Sequence, residues 1–475
     1  MANTSSLLQK VIKEQGLSRN NLIHTIDIDR SSFYQILNGK RPGTIDQFAR
    51  ILSQLDLSPE LTWQLMREYA SRKFGQDYTL YEIVDRWMRR LSTADCDNAY
   101  TFGKDEDHLR DEESTHPIDI NLSEESANKK VFGSSTLVRL LRQLIVSKTD
   151  QEKPVEEPLY LYIPLRLFTK IWMQTDIPEL LNAIPDPQGI RILVRIDLEE
   201  QGTIDGQLEL LFSFLFGLYH IRDFTKLVHC IYSDRSEMNT PFPYFAVDKE
   251  RVYLMNRSCD KAVSVQQRDV ADAYASFFIA LACQHYAYLE EHASLEDFMG
   301  AIHRRFIDNS GDDKINRMVE RRLCIFKVVN DDLINRYADE SIRELLQSYL
   351  SMFQRMQSVF LNSASALQEF RKDHSVMENG IEITIDPEDA EKLCQYAGTS
   401  EVKDILLLHD EQDHLPRNWT FALFSTGELM ILPNWDYHQI ISIRDPKIYH
   451  AFSVWFDVNH DLAVVREKLT VALHS

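Results

Sequence analysis

Between Arg30 and Arg41 the chain reads RSSFYQILNGKR, and its polar side chains are of the kinds that read nucleic acid. Arg30, Ser31, Tyr34, Gln35 and Asn38 recur at helical spacing on one side, while Phe33, Ile36 and Leu37 take the other. An arginine fits O6 and N7 of guanine, a glutamine fits N6 and N7 of adenine, and a hydroxyl serves either base. Lys40 and Arg41 follow at once, placed to grip backbone phosphate.

Such a face needs elements that hold it. Ser18 caps a helix with Leu22, Ile23 and Ile26 on one side, and Asp29 caps the next. Asp27-Ile28 makes the corner, with Ile28 as a buried pivot, and Asn38-Gly39 ends the second helix with residues that tolerate left-handed dihedrals. Leu7, Leu8, Val11 and Ile12 supply a helix upstream. Thr44-Ile45-Asp46-Gln47 is a capping box for a helix that turns Ile45, Phe48, Ile51, Leu52 and Leu55 inward. Ser58 and Pro59 open a fifth helix through Leu61, Leu65 and Tyr69. A further helix, from about Leu80 to Leu91, carries Ile83, Trp87 and Leu91 on one face and Arg86, Arg89 and Arg90 on another. It either extends the bundle or serves as a dimerisation or DNA-flank helix.

Residues 17–39, LSRNNLIHTIDIDRSSFYQILNG, resemble the helix-turn-helix of the phage repressor and Cro class of bacterial regulators. Leu17, Ser18, Leu22, Ile28, Phe33 and Gly39 fall on that class's pattern. Two positions depart from it: Ile23 replaces a small residue where the helices cross, which predicts a wider crossing, and Asp27 replaces the corner glycine, where Asp tolerates the left-handed conformation. The likeness covers about the first sixty residues, those that carry the caps and corner above. It implies that Arg19 contacts phosphate at the start of the second helix and that Arg30, Ser31 and Gln35 face bases. The candidate DNA-contacting set is Ser18, Arg19, Asn20, Arg30, Ser31, Ser32, Tyr34, Gln35, Asn38, Lys40 and Arg41.

The formal net charge of −21 excludes a protein whose whole surface binds nucleic acid. The first fifty residues nevertheless hold seven Lys and Arg against four Asp and Glu, a local +3 that leaves −24 for the rest. So modest a charge implies few phosphate contacts per head, and two heads on half-sites about 34 Å apart are the usual remedy. A homodimer on double-stranded operator DNA is therefore expected.

Residues 93–130 lose all periodicity. The run KDEDHLRDEESTHP, 104–117, reads as an acidic flexible tether whose His108 and His116 are solvated rather than metal ligands. The body beyond is read as mixed α and β. It opens with a Ser134-capped helix and has strands at Leu159–Pro164, Ile190–Ile196 and Leu227–Tyr232, with helices at Leu165–Met173 and Gln207–His220 between them. Two stretches, starting at Phe245 and Phe421, share the order strand, strand, strand, helix. Asp269 and Asp445 open the helices, Tyr274 matches Phe452, and Phe278 matches Phe456. The expected fold is thus a five-helix helix-turn-helix domain (1–75) and an extension helix (76–92), joined by the linker (93–130) to a large α/β body. That body divides into a sensor module (131–289), a mostly helical bridge (290–372) and a second module (373–475).

No phosphate loop of either kind, G-x-S-x-G elbow, H-E-x-x-H or C-x-x-C occurs, so no motif supports an enzyme, a cofactor or a metal. His220, His229, His285 and His303 lie near carboxylates or aromatics, and nothing in the sequence brings them together. Cys96, Cys230, Cys259, Cys283, Cys324 and Cys394 read as reduced, mainly buried thiols. The absence of an apolar span and of a secretory h-region points to a cytoplasmic protein away from membranes. The expectation is a sequence-specific, repressor-like bacterial transcriptional regulator whose C-terminal body senses a small-molecule or peptide effector and dimerises. Two other readings stand beside it: an enzyme or defence-related protein with a fused autoregulatory helix-turn-helix, and a protein-interaction scaffold.

Overall fold

The computed structural model describes residues 7–94, 130–132, 134–148, 158–172, 189–196, 203–220, 228–232, 241–284, 289–292, 294–309, 315–322, 330–355, 357–378, 381–397, 405–409, 413–434 and 438–474. An N-terminal helical region precedes a mixed α/β body with two large sheets and a two-stranded hairpin. The tether with His108 and His116, and also Cys96 and Cys324, lie outside the described residues. Among the described residues, no helix is long and apolar enough to cross a membrane.

Six helices form the head: α1 (Leu7–Glu14), α2 (Arg19–Thr25), α3 (Arg30–Leu37), α4 (Ile45–Leu52), α5 (Pro59–Phe74) and α6 (Tyr78–Ala94). Their ends follow local chemistry. Ser18 Oγ accepts from the Asn21 amide at 3.4 Å, and Asp29 Oδ1 accepts from the Ser32 amide at 2.8 Å. Thr44 and Gln47 close a reciprocal capping box, and Ser58 caps α5 with Pro59 at its first position. The corner between α2 and α3 turns on Asp27, which takes φ 49° as the left-handed position requires. Gly39, at φ 66°, ends α3 where an added Cβ would lie 2.7 Å from Arg72 Nη1. Phe33 and Leu37 are wholly buried in the core, and Phe48 stacks on Tyr69 at 4.4 Å. On α6 the inward face is Tyr81, Val84, Trp87, Met88 and Leu91, while the expected inward residue Ile83 is only half-buried.

The chain divides into two compact units, Met1–Ser92 with Leu295–Tyr437 and Ile443–Ser475, and Thr93–Ser294 with His438–Ser442. In the second, β1 (Lys130–Phe132), α7 (Ser134–Lys148), β2 (Leu159–Pro164), α8 (Leu165–Trp172), β3 (Ile190–Ile196), α9 (Ile204–His220) and β4 (Val228–Tyr232) lead into an antiparallel run. That run is β5 (Tyr244–Asp248), β6 (Arg251–Met255) and β7 (Lys261–Gln266), closed by α10 (Arg268–Gln284). The strand order is β1-β7-β6-β5-β2-β3-β4, with β2, β3 and β4 mutually parallel.

After β8 (Leu289–Glu291), the first unit adds α11 (Leu295–Asp308), β9 (Asn316–Glu320), α12 (Asp331–Tyr337), α13 (Glu340–Arg355), β10 (Ser358–Ser363) and α14 (Ala364–Asp373). The hairpin β11 (Ser375–Glu378) and β12 (Ile381–Thr384), α15 (Pro387–Ala397), β13 (Ile405–Leu408), β14 (Trp419–Leu423) and β15 (Leu429–Pro433) follow. After β16 (Gln439–Ile443) the last helix, α16, runs from Pro446 to His474. Its sheet runs β13-β10-β9-β14-β15, again with three parallel strands (β13, β10, β9) beside an antiparallel pair. The β16 strand pairs antiparallel with β8, as β7 does with β1.

The stretch expected to be a mostly helical bridge is helical over most of its length, and it also builds part of the sheet. Besides helices it contributes β9 and β10, which sit inside the sheet with neighbours on both sides. Their polar residues Asn316, Glu320, Asn362 and Ser363 are buried to 3% exposure or less, and Asn362 Nδ2 donates to the Glu320 carbonyl at 3.0 Å.

Candidate nucleic-acid interface

The candidate contact residues gather around α3 and the two segments that flank it. Ser18, Arg19 and Asn20 are exposed at the start of α2, and Arg30, Ser31, Asn38, Lys40 and Arg41 are exposed along α3 and just beyond it. Tyr34 and Gln35 are half-buried. The Arg30 guanidinium lies 5.9 Å from the Tyr34 ring centroid, and Gln35 Nε2 donates to Ser31 Oγ at 3.4 Å. The Gln35 carbonyl accepts from the Lys40 amide at 2.8 Å and from the Arg41 amide at 3.3 Å, which ties both cations to the end of α3.

Two members of the set do something else. Ser32 is buried, at 7% exposure. Its amide completes the Asp29 cap, and its hydroxyl accepts from Arg41 Nη2. It is a positioning residue for Arg41 and not part of the outer face. Asn38 is exposed, but its side-chain carbonyl accepts from Gln9 Nε2 of α1 at 2.8 Å. The hydrogen bonds from the Ser32 hydroxyl and amide hold the Asp29 carboxyl below its usual range, so the cap stays ionised beside the cations.

Sequence reasoning missed how the head is held. It treated the head as a module on a tether, whereas α4 and α5 pack along α16 and α6 reaches it through a hydrogen bond. Trp455 Nε1 donates to Asp85 Oδ1 of α6 at 3.4 Å. Lys73 of α5 pairs with Asp461, and Lys468 pairs with Asp46 of α4. A groove of about 410 Å³ opens along this seam, lined among others by Leu52, Leu57, Trp63, Met66, Arg466 and Leu469. Along α6, Arg89 pairs with Asp85 at 2.7 Å, and Arg90 lies 4.8 Å from the Trp87 ring centroid.

The seam carries a pH dependence. The Lys468 ammonium, by hydrogen bonding, holds the Asp46 carboxyl below its ordinary 3.8, and the nearby Arg50 adds to this. A carboxyl lowered in the folded state contributes stability above its unfolded value and loses it as pH falls through the folded one. Asp46→Asn is expected to lower the thermal midpoint at neutral pH and to flatten its decline below about pH 4. Midpoints recorded across an acid series check this, and parallel acid limbs for both proteins would contradict it.

Elsewhere the chemistry is sparse. Cys259 and Cys394 are buried, and His303 is half-buried on α11. The side chains of Cys230, Cys283, His220, His229 and His285 lie outside the described residues. Among the described residues no group of three or more His, Cys, Asp or Glu is arranged to hold a metal ion. No protein-family model, curated protein or solved structure matches this chain.

Proposed function

We propose that the chain is a sequence-specific DNA-binding regulator whose head is a helix-turn-helix, with α3 as the recognition helix in the major groove. The observation that carries this reading is the exposure of Arg30 and Ser31 beside Gln35 on a short helix capped at both ends, with Lys40 and Arg41 held at its exit. Arg30 and Gln35 read base edges, and Arg19, Lys40 and Arg41 hold phosphates. The body is read as two related β-β-β-α modules that sense a signal and join two chains. Their shared strand order supports this, and so does the recurrence of one ring contact: Phe245 with Tyr274 at 4.9 Å and Phe421 with Phe452 at 5.6 Å. The groove between the head and α16 has the size of a small-molecule site, and an effector seated there acts on how the head is held.

Salt dependence tests the interface. Three phosphate-facing cations per head give a slope of log K against log salt of about −3 on a single half-site and about −5 on a paired site. Anisotropy titrations at several salt concentrations measure it. A slope near zero would remove the phosphate contacts and the reading with them.

A further inference from the structure

Helices α10 and α16 each follow a three-strand run, yet they meet different surroundings. The Phe245–Tyr274 and Phe421–Phe452 ring contacts set the two helices in one register. Ala273, Ser276, Phe277 and Ala280 then occupy the positions of Ala451, Val454, Trp455 and Val458. The latter four are buried, at 0, 6, 2 and 0% exposure, on the helix that the head covers. The former four are all exposed, Phe277 at 44%, and Ile279 beside them is 45% exposed.

At about 100° per residue, Ala273, Ser276 and Ala280 form a narrow floor with Phe277 and Ile279 standing on either side. From Ala273 to Gln284 the sequence AYASFFIALACQ holds no charged residue, on a chain of net charge −21. An exposed helix face normally carries charge, and this one is built for contact.

We propose that the outer face of α10 is the seat of a second copy of this chain, α10 packing on α10 about a two-fold axis with each Phe277 over the other's small floor. Such a face is self-complementary, as a two-fold interface must be. Two strongly acidic molecules repel except across a patch free of charge, and this patch is one. The acidic run 104–117 of the same chain carries eight charged residues in fourteen and does not suit an apolar floor. The uncharged stretch is about 18 Å long and a helix is about 10 Å across. Two of them in contact bury well under the roughly 1,200 Å² at which standard interfaces begin. The pairing is therefore weak in solution and is completed when two heads engage one operator; that purpose rests on the DNA-binding reading above.

Sedimentation of the full chain over a wide concentration range tests it, alongside titration of one duplex with a single half-site and one with two. The wild type is expected to show a concentration-dependent monomer–dimer equilibrium and cooperative binding to the paired site. Ala280→Arg, at an exposed position, is expected to weaken the dimer at least about tenfold and abolish that cooperativity. It should leave single half-site affinity within about twofold and the melting curve unchanged. Phe277→Arg, which also gives up a ring contact with Phe245, repeats the test independently. Loss of the dimer in both variants, with no sequence-specific DNA binding by any form, keeps the surface and removes the DNA reading. A chain that stays monomeric at every concentration and on the paired duplex, or a dimer that survives both substitutions, overturns the proposal.

Discussion

Arg30→Ala and Gln35→Ala are each expected to lose about 1–3 kcal/mol of specific DNA binding and to relax base preference at one position apiece. Lys40→Ala and Arg41→Ala are expected to weaken binding to every sequence alike and to flatten the salt dependence. The difference follows from placement. Arg30 is exposed and Gln35 half-buried along α3, whereas Lys40 and Arg41 sit past its C-terminal end, tied by their amides to the Gln35 carbonyl. Binding measured on the preferred duplex and on single-base variants at one fixed salt concentration separates the two classes. Identical specificity profiles for both would contradict the placement of α3 in the groove.

The second large effect lies far from the interface. Trp455→Ala is expected to destabilise the protein by about 3–5 kcal/mol, the range for emptying a large aromatic site. Trp455 is 2% exposed on α16 and donates to Asp85, so the substitution opens a cavity under the head and removes the donor to Asp85 Oδ1, the other oxygen keeping Arg89. Trp455→Phe keeps most of the packing and should recover most of the loss. Denaturant midpoints with an unchanged slope measure both. A loss below about 1 kcal/mol would mean that the head is not seated on α16. For the same reason, a fragment beginning near Gly133 should expose Ala451, Val454 and Val458, all buried in the full chain, and lose solubility.

The head was legible because its signals are local. Ser18, Asp29, Thr44 and Ser58 cap helices within three residues of themselves, and Asp27 had only to tolerate one left-handed dihedral. Ser32 was misplaced because it was taken by residue type. Its angle about α3 puts it beside Ile36, on the inner side. The strands β9 and β10 escaped notice for a different reason. The sequences NRMVE and SVFLNS show too few apolar residues to read as buried, and their burial comes from neighbours distant in sequence. The seating of the head left one trace. From Ile448 to Val465 the polar side of the last helix narrows to His450, Ser453, Asp457 and His460, so the apolar remainder is wider than one neighbour can cover. What covers it is a nonlocal fact that spacing alone does not supply.

The most direct measurement is selection of bound sequences from a random duplex pool by the full chain. A regulator of the kind proposed enriches a short motif. In doubly bound duplexes that motif recurs in inverted orientation with centres about 10–11 base pairs, or a multiple of that, apart. Arg30→Ala erases preference at one position of each half-site. A pool that comes through selection without an enriched motif, while still binding in a salt-dependent way, would contradict sequence-specific recognition by the head.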